Sequence, residues 1–179
     1  MSADVSCRVA WSDDAPAIAA VQVRAWRASY GSLLPKELLD ALAADEVAEG
    51  WREALTKPVD ARNRVLIGLE RNMVTGFAVT GPATDPDSDP VADGEITDLT
   101  VDPHKRSAGH GSRLMQAAID TLKADRFTRA VTWLPAGDDS TRAFLAAAGW
   151  APDGAHRTLD LTGDGSVTVK QVRLHTDLG

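Results

Sequence analysis

The chain has 179 residues, 44% apolar and 25% charged, with a net charge of −7, a pI near 5.0 and a single cysteine, Cys7. That length predicts one domain over 1–179 with a full apolar core, and the acidic balance excludes a nucleic-acid backbone as principal partner. No stretch nears the roughly 18 apolar residues of a membrane span, MSADVSCRVAWSDD lacks the features of a signal peptide, and one cysteine permits no internal disulfide, so a cytoplasmic protein is expected.

CRVAW (7–11) reads as a short strand, with Cys7 packing as a small hydrophobe. Ser12 then caps a helix with Asp13 and Asp14 in its first turn, where the helix dipole favours acids. Its residues Ile18, Val21 and Ala25 recur at helical spacing, and it ends near Tyr30-Gly31. Pro35 opens a second helix through Leu38, Leu42, Val47, Trp51 and Leu55, which stops before Pro58. RVLIGLE (64–70) and MVTGFAVT (73–80) are separated by Arg71 and Asn72 alone and predict a hairpin. GPATDPDSDPVAD (81–93), with three prolines and four aspartates, predicts a surface loop, a mobile acidic lip.

GEITDLTV (94–101) reads as a strand and AGHGSRLMQAAIDTLK (108–123) as a helix with Leu114, Ala118 and Leu122 on one stripe. RAVTWL (129–134) is a strand, and STRAFLAAAG (140–149) a helix ended by Gly149. HRTLDLT (156–162) and SVTVKQVRLH (166–175) close the chain as a hairpin through GDG. Val167 and Val169 fall on one parity, Val172 and Leu174 on the other, which predicts a bulge near Lys170–Gln171. The order βααβββαβαββ predicts an α/β (α+β) fold, a mixed sheet flanked by helices.

The stretch richest in chemistry is VDPHKRSAGHGSRLM (101–115). It lacks the G-x-x-x-x-G-K-[ST] of a phosphate loop, and Leu114 stands where a dinucleotide fingerprint needs its third glycine. Unpaired N–H groups from Ser107 to Ser112 at a helix start suit a phosphate, and Gly109 and Gly111 let it approach the backbone closely. Lys105 and Arg106 add positive charge. His110 lies between the glycines, where its backbone matters more than its ring. The aspartates at 85, 87, 89 and 93 start a calcium-loop count, but Pro90 and Ile96 break it at positions 6 and 12. The four histidines show no ligand spacing, and no metal is expected.

Arg106-Ser107-Ala108-Gly109-His110-Gly111 resembles the Q/R-x-x-G-x-G/A loop of the GNAT superfamily of N-acetyltransferases. Its context is similar to the family's as well. A strand ending Val101-Asp102-Pro103 precedes it, an amphipathic helix follows, and Gly149-Trp150 resembles the closing G-F/W. The resemblance runs from about Val5 to Leu174. It implies a GNAT-like, mostly antiparallel sheet and acetyl-CoA as co-substrate. The pyrophosphate would lie on the amides of Ser107, Ala108, Gly109, His110, Gly111 and Ser112. The backbone of Leu99, Thr100 and Val101 would bond the pantetheine arm, and Asp138 takes the place of a family asparagine.

Glu95, eleven residues before Arg106, stands where many members carry a general base acting through water. Regular alternation puts Glu95, Thr97, Leu99 and Val101 on one face and Asp98 on the other, unless a bulge intervenes. The tyrosine that in many members protonates the leaving thiolate is replaced by Leu145. A thiol of pKa near 8.5 can leave without it, or water or Ser140 can serve. Trp26 and Tyr30 lie four apart on one helix face, where they either wall an acceptor pocket or pack in the core. The resemblance implies transfer of an acetyl group to an amine of a small molecule or protein. A non-catalytic acyl-CoA-binding module and a transferase using a longer acyl-CoA are the alternatives. The acidic surface leans towards a cationic acceptor, and the C-terminal strand offers an edge for a homodimer.

Overall fold

The computed structural model describes residues 4–106 and 108–179. Seven strands form one sheet: β1 (Val5–Val9), β2 (Arg64–Glu70), β3 (Met73–Pro82), β4 (Asp93–Val101), β5 (Arg129–Pro135), β6 (Ala151–Asp160) and β7 (Thr168–Asp177). Their order is β1-β2-β3-β4-β5-β7-β6, antiparallel throughout except for β4 with β5. The helices are α1 (Ala15–Tyr30), α2 (Lys36–Asp40), α3 (Ala44–Thr56), α4 (His110–Ala124) and α5 (Asp139–Ala147). No helix of the described residues is long and apolar enough to cross a membrane.

Local chemistry explains most of these boundaries. Arg71 and Asn72 take φ of 49° and 70°, the mirror-image turn whose twist matches a two-residue hairpin. β1 ends at Val9, not at Trp11, which is 63% exposed beneath the Arg8 guanidinium. Ser12 is not the side-chain cap of α1. Asp14 is the residue before α1 but gives it no side-chain cap; its Oδ2 instead reaches back to accept the Trp11 N–H at 2.6 Å while Arg8 grips both carboxylate oxygens. The single helix expected after Pro35 is two, broken at residues 41–43, so the order is βαααβββαβαββ. No proline or glycine marks the break, and apolar spacing reads through it; Asp45 and Glu46 in the first turn of α3 are its one local sign.

Two apolar layers hold the sheet. α4 and α5 cover one face, where Leu114, Met115, Ala118, Leu122 and Leu145 pack on Leu66, Ala78, Ile96, Ala130, Leu134 and Leu174. On the other face Ile18 and Val21 of α1, with Trp51 and Leu55 of α3, pack on Ile67 and Phe77. That second layer lies over β2 and β3, and among the described residues no helix packs in it on the same face of β5, β7 and β6.

Two irregularities differ from plain alternation. β7 pairs with β5 without interruption from Gln171 to Asp177, so the bulge expected near Lys170–Gln171 is absent. The irregularity lies in the partner strand, between Pro152 and His156 of β6. β7 keeps mixed parity because both faces are used: Val172 and Leu174 face the core, and Arg173 faces the opposite side under residues 85–87. In β4, Thr80 opposes Ile96 but Val79 opposes Asp98, leaving Thr97 as an extra residue. This bulge carries Asp98 and Thr100 to the face of Glu95, and Leu99 and Val101 to the face of α4.

Gly76 is demanded by the sheet at this point. A Cβ there would lie 2.5 Å from the Thr100 carbonyl oxygen and 2.9 Å from Leu114 Cδ1. Gly76→Ala is therefore expected to cost about 1–3 kcal/mol by overpacking, read as a lower urea midpoint at unchanged slope.

Candidate active site

β4 and β5 share a ladder over three residue pairs only, Asp93–Glu95 with Arg129–Val131. One further bond, Thr132 Oγ1 donating to the Ile96 carbonyl at 2.8 Å, closes the shared edge. The bulge at Thr97 then bends β4 away. From Leu99 to Val101 its backbone pairs with β3, and no strand occupies its other edge among the described residues. The result is a slot lined by N–H and C=O groups without strand partners.

The slot runs to the start of α4. Asp102 turns the chain there: its N–H donates to the Thr75 carbonyl, and its carboxylate takes Arg24 and the His104 amide. Gly109 adopts φ +82°, which a side chain would disfavour, and α4 begins at His110. The His110 ring turns inwards, buried, with Nδ1 3.2 Å from Thr75 Oγ1. Ala108, Gly109 and Ser112 are exposed, and Arg106 is an exposed cation beside them. Ser107 lies outside the described residues. Lys105 is tied to Glu70 at 3.0 Å, which directs its charge to the sheet. Gly111 differs from Gly76: the nearest neighbour of an added Cβ is Val101 Cγ2 at 3.6 Å, an ordinary contact. The fold leaves room for a side chain at Gly111 that the sequence does not fill.

The opposite face of β4 carries the ionisable groups. Glu95 is 5% exposed and its Oε2 has no hydrogen-bond partner. Burial pushes its carboxyl above the ordinary range and Asp85 adds to this, while Arg157, the Thr84 amide and Arg173 pull the other way. Glu95 is thus no solvated strand end. Asp98 is half-buried and raised by burial too, offset by the Thr100 hydroxyl that donates to its Oδ1. Tyr30, half-buried at the end of α1, has its phenol raised by burial and by the charges of Asp98 and Asp138. The end of α1, the middle of β4 and the start of α5 therefore converge. Trp26, one turn earlier, is half-buried and outside both apolar layers. Asp138 caps α5, accepting the Thr141 amide at 3.1 Å and hydroxyl at 2.6 Å. Leu145 is buried in the core and gives α5 no hydroxyl at that position.

Beside Glu95, on the same face, lies a depression of about 300 Å³ with Trp133, Arg157 and Arg173 on the sheet and Asp85 and Asp87 on the loop above. The loop is not a mobile lip. Arg173, 7% exposed, binds Asp87 through both Nη atoms at 2.7 Å, Asp85 at 3.1 Å and Asp153 through Nε at 2.6 Å. Trp133 Nε1 donates to the same Asp85 oxygen at 3.0 Å, and Asp89 binds the amides of Val91 and Ala92. The aspartates are spent on the protein itself, and no cluster of three metal-ligating side chains occurs among the described residues. Sequence reasoning missed Arg173, Arg157, Trp133 and Asp85 as a group; the one available sign was an arginine set between Val172 and Leu174.

The sequence profile of the acetyltransferase (GNAT) family matches residues 35–150, from α2 to the end of α5. The chain belongs to the GNAT family. An uncharacterized N-acetyltransferase of Bacillus subtilis, YuaI, is 26% identical over 130 residues, covering 73% of this chain and 71% of that one. In fold, the chain is similar to the PaiA N-acetyltransferase of Thermoplasma acidophilum, solved with coenzyme A (TM-score 0.70, 13% identity, 99% of both chains). It is also similar to YncA of Salmonella typhimurium, solved with acetyl-CoA (TM-score 0.70, 15% identity, 98% of this chain and 94% of that one). The mixed, mostly antiparallel sheet is the GNAT fold.

The raised Glu95 carboxyl has a consequence for stability. The fold favours its protonated form, so its stabilising contribution is whole below the unfolded value of about 4.5 and is lost as pH rises through the higher folded value. Glu95→Gln, which does not titrate, should gain stability relative to the parent as pH is raised from about 4 to about 8. Urea midpoints at the two pH values check this, and parallel pH profiles would show that Glu95 carries no such penalty.

Proposed function

We propose that this chain is an N-acetyltransferase that takes the acetyl group of acetyl-CoA and passes it directly to an amine bound on the Glu95 face of the sheet. One observation carries the reading: a backbone slot beside β4 that ends at a helix start where Gly111 leaves space the fold does not use. The similar structures solved with coenzyme A or acetyl-CoA support it.

Acetyl-CoA would supply an acyl group already activated as a thioester. The amides of Ala108, Gly109, His110, Gly111 and Ser112, with Ser107 and the Arg106 cation, would hold its pyrophosphate, as donors at a helix N-terminus do. The free edges of Leu99, Thr100 and Val101 would bond its arm, as they would bond a strand. Asp138 stands at the α5 end of the slot as a cap that keeps that helix start in place.

The chain's own chemistry lies on the other face. An amine must lose its proton before it attacks, and Glu95 Oε2, the carboxylate oxygen without a partner, would accept it through water. A carboxyl raised by burial is a stronger base than an exposed one, which suits a pH near neutral. Trp26 and Tyr30 would wall the acceptor, with Asp98 facing Tyr30. Leu145 leaves α5 without the tyrosine of many family members, and a thiol of pKa near 8.5 can leave without it or with water or Ser140 as donor. Leu145 also favours a second reading, an acyl-CoA-binding module without turnover. Release of free CoA with a panel of amines separates the two, and competition with longer acyl-CoAs fixes the donor. We place the protein in the cytoplasm. The C-terminal strand β7 does not offer the edge expected of it, because it is paired on both sides, with β5 and β6; a homodimer would use the β6 edge instead.

Gly111→Trp should fold as the parent does, with an unchanged circular dichroism spectrum and urea midpoint, and lose the calorimetric signal of acetyl-CoA. Undiminished affinity would remove the glycine loop from the site.

A further inference from the structure

We infer that the depression beside Glu95 is an anion subsite of the acceptor pocket, with Arg157 as its ligand, and that the acceptor is an amine carrying a carboxylate, an amino-acid-like molecule. This deepens the transferase reading and rests on it.

The charged groups around the depression differ in how fully they are already engaged. Arg173 is saturated: Nε, Nη1 and Nη2 together reach Asp85, Asp87 and Asp153. Asp85 Oδ2 takes both Trp133 and Arg173, and Asp153 is further held by Arg129 at 3.1 Å. Arg157 is different. Its Nε donates to Gln171 Oε1 at 2.7 Å, and its guanidinium carbon lies over the Trp133 ring, 4.2 Å from the centroid. The nearest carboxylate to its outer nitrogens is Asp85 Oδ1 at 3.9 Å, beyond hydrogen-bonding range. Nη1 and Nη2 therefore have no hydrogen-bond acceptor among the described residues. A guanidinium fixed at Nε and held over an indole presents those two nitrogens as a fork, the geometry that matches a carboxylate.

The fork stands on the face that carries Glu95. Glu95 pairs in register with Val131, Trp133 follows two residues along β5, and Trp133 pairs with Arg173 on β7. Arg157 pairs with Gln171, two residues from Arg173, which brings it to the same face. A molecule with its carboxylate on Arg157 would extend its amine along this face towards Glu95. Asp85 and Asp87 balance the charge of Arg157 and Arg173 around the depression, so the open fork of Arg157, not a net positive wall, favours an amine that also carries a carboxylate.

Matched acceptors test the inference: methionine against methioninamide and phenylalanine against phenethylamine, with acetyl-CoA and CoA release as the readout. The free acids should be favoured in kcat/KM by about tenfold or more, the scale of one charge-assisted contact. Arg157→Ala should abolish that preference, with the loss appearing in KM for the free acids and acetyl-CoA affinity unchanged, and Arg157→Lys should restore part of it. A second readout needs no turnover. In the nitrogen-15-labelled chain with CoA bound, the Trp133 indole N–H resonance, identified by its loss in Trp133→Phe, should shift with methionine, not with methioninamide, and not in Arg157→Ala. Equal use of acids and amides, or an indole resonance unmoved by either acid, overturns the subsite. A protein that acetylates amines without regard to a carboxylate keeps the transferase reading and loses this one. A protein that shows the Trp133 shift but releases no CoA with any amine does the reverse.

Discussion

Two parallel strands stay paired only while they share one twist, and the extra residue at Thr97 ends that condition for β4 and β5. The slot, the arrangement of the carboxylates and the approach to α4 all follow from it. Before the bulge, β4 is a central strand with both edges bonded; after it, one edge is open from Leu99 to Val101. The same insertion rotates Asp98 and Thr100 onto the face of Glu95 and sends Leu99 and Val101 to pack with Leu114. A residue that makes one weak hydrogen bond of its own, Thr97 Oγ1 to the Val79 carbonyl at 3.4 Å, thus decides which side chains meet an acceptor.

The uncovered half of that face raises a second problem, because Trp133 and Arg173 would otherwise stand in water where helices cover the rest. The chain solves it with charge. The loop after β3 carries Asp85 and Asp87 over the sheet, and the irregular part of β6 swings Asp153 in from the other side. An arginine 7% exposed is tolerable only with its donors met, and here three carboxylates meet them. Glu95 lies under this lid. Its burial is a by-product of the same packing, and that burial is what lifts its carboxyl.

The glycine loop was legible because a glycine at the start of an amphipathic helix has few reasons to be there, and because its string resembles a known family. β2, β3, α4 and α5 were legible from spacing alone, and Gly149 closes α5 with φ +95° as a terminal glycine does. The face of Asp98 was not legible: alternation of side chains carries no mark of an inserted residue, and Thr97 reads like any strand threonine. Residues 81–93 read correctly as a loop and wrongly as a mobile one, since Arg173, more than 80 positions away in sequence, holds them. The break between α2 and α3 was hidden because Ala41, Leu42 and Ala43 are strong helix formers with no capping or breaking residue among them. Glu95 was placed by its spacing to Arg106; its burial depends on a loop and a strand that no local pattern connects to it.

The short shared edge of β4 and β5 also divides the sheet mechanically. Across it the backbone ladder is three residue pairs long, against seven between β5 and β7. β1 to β4 on one side and β5, β7 and β6 on the other are two stiff plates joined along a seam, with α4 packed on the first plate. Load applied between the two outermost strands would concentrate at this seam, and the plates would part there before either plate lost a strand. A ligand lying in the slot, bonded to one plate along β4 and packed against the other, would act as a rivet.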